Sequence, residues 1–190
     1  LLDASVAIPM LCALLFSPVI RRFSLAAHHA YKEISSHGLR LRLPVDYLEE
    51  SAAHLLRAYH DYRDIIDLDS DLTASENAFV SHYASRRLDG AVIGFAEFLE
   101  SFGLNEALRK AEFFAALDTL KQRLQRLFSH YSIDALPLGE PSQTSRRRAE
   151  EAVAYALRTL QVERPDVLAR HDARTLAYLF DTDRYAEVAY

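Results

Sequence analysis

LRLRLPVDYLEESAAHLL, residues 39–56, changes its hydrophobic period halfway along. Leu39, Leu41 and Leu43 alternate with Arg40 and Arg42, the rhythm of a short strand, and the alternation stops at Pro44. From Val45 the apolar residues fall at Leu48, Ala52, Leu55, Tyr59, Tyr62 and Ile66, the spacing of one helix face. A strand therefore runs into a helix with a proline at the joint.

Upstream, LLDASVAIPM (1–10) reads as a strand, LLDAS, passing into a helix at Pro9 that continues through PMLCALLF. SLAAHHAYKEISSHG reads as a second helix closed by Gly38. Downstream, 67–164 looks almost wholly helical. Thr73 and Glu76 suggest a capping box ahead of Phe79, Val80 and Tyr83, and DGAVIGFAEFLESFG supplies another helix. Over 105–131 the set Leu108, Ala111, Phe114, Leu117, Leu120, Leu124, Leu127 and Tyr131 predicts one long amphipathic helix. IDALPLGEPSQ reads as a loop with room for a brief strand. Residues 146–160 are helical again, with Ala149, Val153, Ala156 and Leu160 on one stripe. Pro165 starts a new element, HDARTLAYLF is a helix and AEVAY a strand. Strand–helix–helix–strand–helix at one end and helix–strand at the other predict an α/β fold with a central parallel sheet. The expectation is a single domain over 1–190 with a mostly helical insertion at about 67–164.

Composition narrows the function. At 190 residues and 50% hydrophobic, one domain can bury roughly 70% of its unfolded surface. The net charge of −5 gives no bulk basic field for nucleic acid. Lysine occurs only at 32, 110 and 121, so 22 − 3 = 19 of the cations are arginine, the better bidentate partner for phosphate or carboxylate. The one cysteine, Cys12, excludes an internal disulfide and fits a reducing cytoplasm. The apolar stretch 6–20 is interrupted by Pro9 and Pro18, is too short for a bilayer and is followed by Arg21 and Arg22, so it predicts a core helix and no membrane partner. A chain that begins inside a strand without Met predicts a piece of a longer protein.

In a parallel sheet, functional groups gather outside the carboxyl ends of the strands. Three acids are expected there: Asp3 at the end of the first strand, Glu50 (or its neighbour Glu49) early in the helix after the second, and Asp172 in the first turn of its helix. A helix N-terminus favours a carboxylate by about 0.3–1 kcal/mol. Two carboxylates about 4 Å apart repel by roughly 4 kcal/mol at an effective dielectric near 20. Bare acids gathered together therefore need a divalent cation, Mg²⁺ or Mn²⁺.

These segments resemble PIN-domain nucleases. LLDASVAI is similar to that family's opening strand, with Ser5 two places after the acid. LRLRLPVDYLEESAAHLL is similar to its second strand and second-acid helix, and RHDARTLAYL to its third-acid helix. The resemblance covers roughly 1–60 and 165–190. It implies Asp3, Glu50 and Asp172 as catalytic metal ligands, with Ser5 positioning a ligand. It also implies a metal-dependent nuclease, an endoribonuclease in the first instance, cleaving phosphodiester bonds. Glu50 is preferred to Glu49 because Tyr47 and Leu48 then fill the apolar places before the acid. A fourth acid expected after the last strand is not reached by Tyr190, and the helical block exceeds what a minimal member needs.

Other groups carry weaker signals. His54, four residues after Glu50, shares its face and could touch the site. Arg174, two places after Asp172, and the run Arg146, Arg147 and Arg148 are the expected RNA-phosphate contacts. The alternation Asp67, Asp69, Asp71 lacks the calcium-loop glycine and closing glutamate, with Leu72 and Ala78 in those places. No nucleophile–His pair, phosphate-cradling glycine loop or zinc cluster is present. The alternative is an inactive PIN-like interaction or scaffold module, contacting other domains of the parent chain or a regulatory protein.

Overall fold

The strand predicted at 39–43 is β1, Leu41–Pro44, and it pairs in parallel with β2, Ile133–Leu136, in a register running from Leu41 opposite Ile133 to Pro44 opposite Leu136. The computed structural model describes residues 1–19, 24–66, 71–90 and 93–181. The expected strand at 186–190 and the acids Asp67 and Asp69 lie outside the described residues. Among the described residues the sheet has these two strands and the rest of the regular structure is helical, so the α/β expectation holds in its coarse form. β2 lies inside the stretch expected to be an insertion.

The chain divides into two compact units, Leu1–Leu136 and Pro137–Tyr190. In the first, the expected opening strand is not a strand. Leu2 N donates to Arg42 O of β1 at 2.8 Å and Asp3 is extended, but α1 (Ala4–Phe16) begins immediately after Asp3. The acid's side chain caps the helix and so starts it early, placing Pro9 inside rather than at its start. α2 (Ser24–Ser36) ends as expected, with Gly38 at φ +69° and Leu39 N bonded back to Ile34 O.

α3 (Val45–Tyr62) leaves β1 directly and buries Leu48, Ala52 and Leu55. The proposed capping box is replaced. Thr73 belongs to a 3-10 turn, Leu72–Ala74, and Asn77 caps α4 (Ala78–Leu88), accepting from Phe79 N and Val80 N. α5 is Phe95–Glu100. Phe16, Phe79, Phe98 and Phe102 join α1, α4 and α5 in an aromatic cluster, with Phe79 and Phe102 centroids 4.8 Å apart.

The single long helix expected over 105–131 is two, α6 (Glu106–Lys110) and α7 (Phe113–His130). Extended backbone at Ala111 and Glu112 breaks it and resets the phase. α7 therefore buries Ala116, Leu120, Leu124 and Phe128, while Phe114 is 70% exposed.

The second unit is a pair of packed helices, α8 (Gln143–Leu160) and α9 (Asp166–Phe180). Ser142 N donates to Asp181 Oδ2 at 3.0 Å, tying the start of α8 to the end of α9. α9 begins at Asp166 because Pro165 O accepts from Leu168 N and Ala169 N. Asp172 is therefore in the second turn, not the first, where the helix dipole no longer favours it.

Candidate functional site

Asp3 is built into its position by the backbone. Its Oδ1 accepts from Val6 N at 3.0 Å and from Ser5 Oγ at 2.7 Å, which caps the first turn of the helix and fixes the exposed carboxylate. Ser5 thus contacts the acid within the helix cap. The cap explains how Asp3 is tolerated beside apolar neighbours. Leu2, just before it, is bonded to Arg42 of β1, and α3 issues from the end of that same strand.

Glu49 and Glu50 diverge on α3. Glu49 reaches α7, with Lys121 Nζ 2.9 Å from Oε2. Glu50 is nine-tenths buried, and His54 Nε2 stands 3.9 Å from its Oε1 one turn on. Burial, then the charge of Arg57, pushes the His54 imidazole below its usual range, so it is neutral near pH 7. A neutral imidazole brings no positive charge to Glu50.

Asp172 belongs to the second unit. The Arg164 guanidinium lies against it, with Nε 2.8 Å from Oδ2 and Nη2 donating to Oδ1 at 3.3 Å. The arginines expected to bind phosphate also have intramolecular partners. Arg174 Nη2 donates to Leu138 O at 2.8 Å, and Arg146 pairs with Glu140 at 2.6 Å. Arg147 lies 3.8 Å from Glu151, and Arg148 stacks 4.5 Å from the Phe180 ring centroid.

Asp3 with Ser5, and Glu50 with His54, are therefore placed by the first unit, and Asp172 with the four arginines by the second. Among the described residues no group of three or more His, Cys, Asp or Glu is placed to hold a metal ion. Arg164 and Lys121 were not anticipated. Each meets its acid across a turn or from another helix, and neither spacing carries a local signal. Among the described residues no helix is long and apolar enough to cross a membrane. Comparison with protein-family models, curated proteins and solved structures returned no match.

Proposed function

We propose that this chain is a PIN-like, divalent-metal-dependent cytoplasmic nuclease acting on RNA. The observation that carries the reading is the Asp3–Ser5 arrangement, an exposed carboxylate fixed through one oxygen beside the strand from which the Glu50 helix departs. The donors are hard carboxylate oxygens, which suit Mg²⁺ or Mn²⁺ and not a soft metal. Asp3 and Glu50, both of the first unit, would hold the ion, which would supply water activation and charge stabilisation at phosphorus when bound. Ser5 orients Asp3, and His54 packs against Glu50 without adding a charge.

The test is cleavage of labelled single-stranded RNA with millimolar Mg²⁺ or Mn²⁺, alongside thermal melting with and without the ion. Asp3→Asn keeps a good N-cap residue and so isolates the charge from the fold. Loss of cleavage and of the metal-induced shift in Asp3→Asn, with helicity retained, supports the reading.

A second reading, an inactive interaction module, is favoured by the Arg164 guanidinium that already neutralises Asp172. It predicts neither cleavage nor a metal-induced shift in the wild-type chain.

A further inference from the structure

Leu2 N donates to Arg42 O at 2.8 Å, so Arg42 of β1 lies against the residue that precedes Asp3. Leu2, Leu41 and Leu43 are buried, while Asp3 is exposed and Arg42 half-buried, its guanidinium nitrogens open to solvent. Arg40, two places earlier, is exposed. Among the described residues neither arginine makes an ion pair, a side-chain hydrogen bond or a ring contact. Asp134 stands opposite Arg42 on β2, yet the two side chains form no ion pair. A pair at a partly open position is weak, so the guanidinium is left to a stronger acceptor. The arginines expected to meet RNA, Arg174 and Arg146 to Arg148, belong to the second unit and are engaged within it.

We propose that Arg42, with Arg40 beside it in sequence, holds a backbone phosphate of single-stranded RNA next to Asp3. The assignment rests on the reading of Asp3 and Glu50 as the cleavage site and adds the group that holds the substrate there. A guanidinium fork donates two parallel N–H bonds to a phosphate and stays charged at every working pH. A chain of net charge −5 does not draw RNA in by its bulk field, so a local cation beside the carboxylates has to supply the attraction. Arg42 sits on a strand hydrogen-bonded to the residue before Asp3, and a regular element places a contact more sharply than a loop does.

Fluorescence anisotropy of a labelled single-stranded RNA oligonucleotide over a salt series, in EDTA so that no cleavage occurs, tests it. The wild type is expected to bind. Arg42→Gln should lose about tenfold in affinity and about 0.7 from the slope of log affinity against log salt, the share of one single-strand phosphate contact. Arg42→Lys should recover the slope and part of the affinity, because lysine keeps the charge without the fork. Arg126→Gln, at an exposed position on α7, should change both less. Should Arg42→Gln lose helicity by circular dichroism, Arg40→Gln, at an exposed position, carries the same measurement. With Mn²⁺ added, Arg42→Gln should raise KM for cleavage and keep the metal-induced melting shift of the wild type. A wild type that does not bind RNA overturns the proposal, as do an unchanged slope in the variant and equal losses at Arg42 and Arg126. A chain that binds through Arg42 but neither cleaves nor shifts with Mn²⁺ upholds the phosphate contact and overturns the nuclease reading instead.

Discussion

Arg164 meets both carboxylate oxygens of Asp172, one by an ionic contact at 2.8 Å and one by a hydrogen bond at 3.3 Å. Both side chains are about a third exposed, so the pair adds less than about 1 kcal/mol to stability. Arg164→Ala should therefore leave the melting temperature nearly unchanged. If Asp172 serves a metal, removing its guanidinium partner should enlarge the Mn²⁺-induced thermal shift. A smaller shift than in wild type would take Asp172 out of the ligand set.

The two adjacent acids of α3 should separate cleanly. Glu49→Gln loses a half-exposed ion pair to Lys121, costs under about 1 kcal/mol and should leave RNA cleavage intact. Glu50→Gln should abolish cleavage while helicity is retained. Equal activity in both variants would remove Glu50 from the proposed site.

Asn77 links two helices through one amide. Its Oδ1 accepts from the first amides of α4, and its Nδ2 donates to His54 O on α3 at 2.8 Å. Asn77→Ala should destabilise the chain by about 2–3 kcal/mol in urea titrations, the sum of a lost cap and a carbonyl deprived of its donor. Asn77→Asp, which keeps the cap but not the donor, should fall between.

His82 lies in the aromatic cluster, 3% exposed, its ring stacked 6.2 Å from that of Phe98. Burial, then the charge of Arg86, pushes its pKa down to about 4. The unfolded chain then binds the proton more readily, so stability is complete above the ordinary histidine value near 6.5 and falls as pH drops from there towards 4. His82→Leu should flatten that part of the stability–pH curve, which in wild type amounts to about 3 kcal/mol. An unchanged slope in denaturant titrations between pH 7.5 and 4.5 would assign the acid sensitivity elsewhere.

Gly103 sits at φ +97°, and a Cβ there would come 2.9 Å from Arg123 Cδ, while Arg123 Nη1 donates to the Gly103 carbonyl at 2.5 Å. Gly103→Ala should cost about 1–3 kcal/mol, from backbone strain together with displacement of that arginine. A cost below a few tenths in equilibrium unfolding would show that the loop rearranges freely.

Local chemistry was readable where it stayed local. The period change at Pro44, the face of α3 and the Gly38 stop each depend on neighbours within a turn or two, and each appears in the structure near its expected place. The reading failed where distant contacts or a capping side chain decide. Asp3 caps a helix that begins before Pro9, and an extended pair at Ala111 and Glu112 shifts the buried face of α7. Asp172 was expected at a helix start because the sequence shows Pro165 but not which residue begins the first turn. At the site, the Ser5 contact was legible because it spans two residues. The cations on Glu49 and Asp172 were not, since charge patterns do not reveal which acid a distant arginine or lysine will meet.

The parallel pairing of β1 with β2 also imposes an order of events on synthesis. A nascent chain exposes the β1 edge, Leu41 and Leu43 included, long before the ribosome delivers Ile133. Only after α3 to α7 have been made can that edge find its mate, and the closure cost rises slowly with such a distance. Throughout that interval the edge is open to strands of neighbouring chains, the route by which unpaired sheets aggregate. Slower translation of the helical middle would lengthen the exposure, and Pro44, which lacks an N–H to offer, limits it at one end.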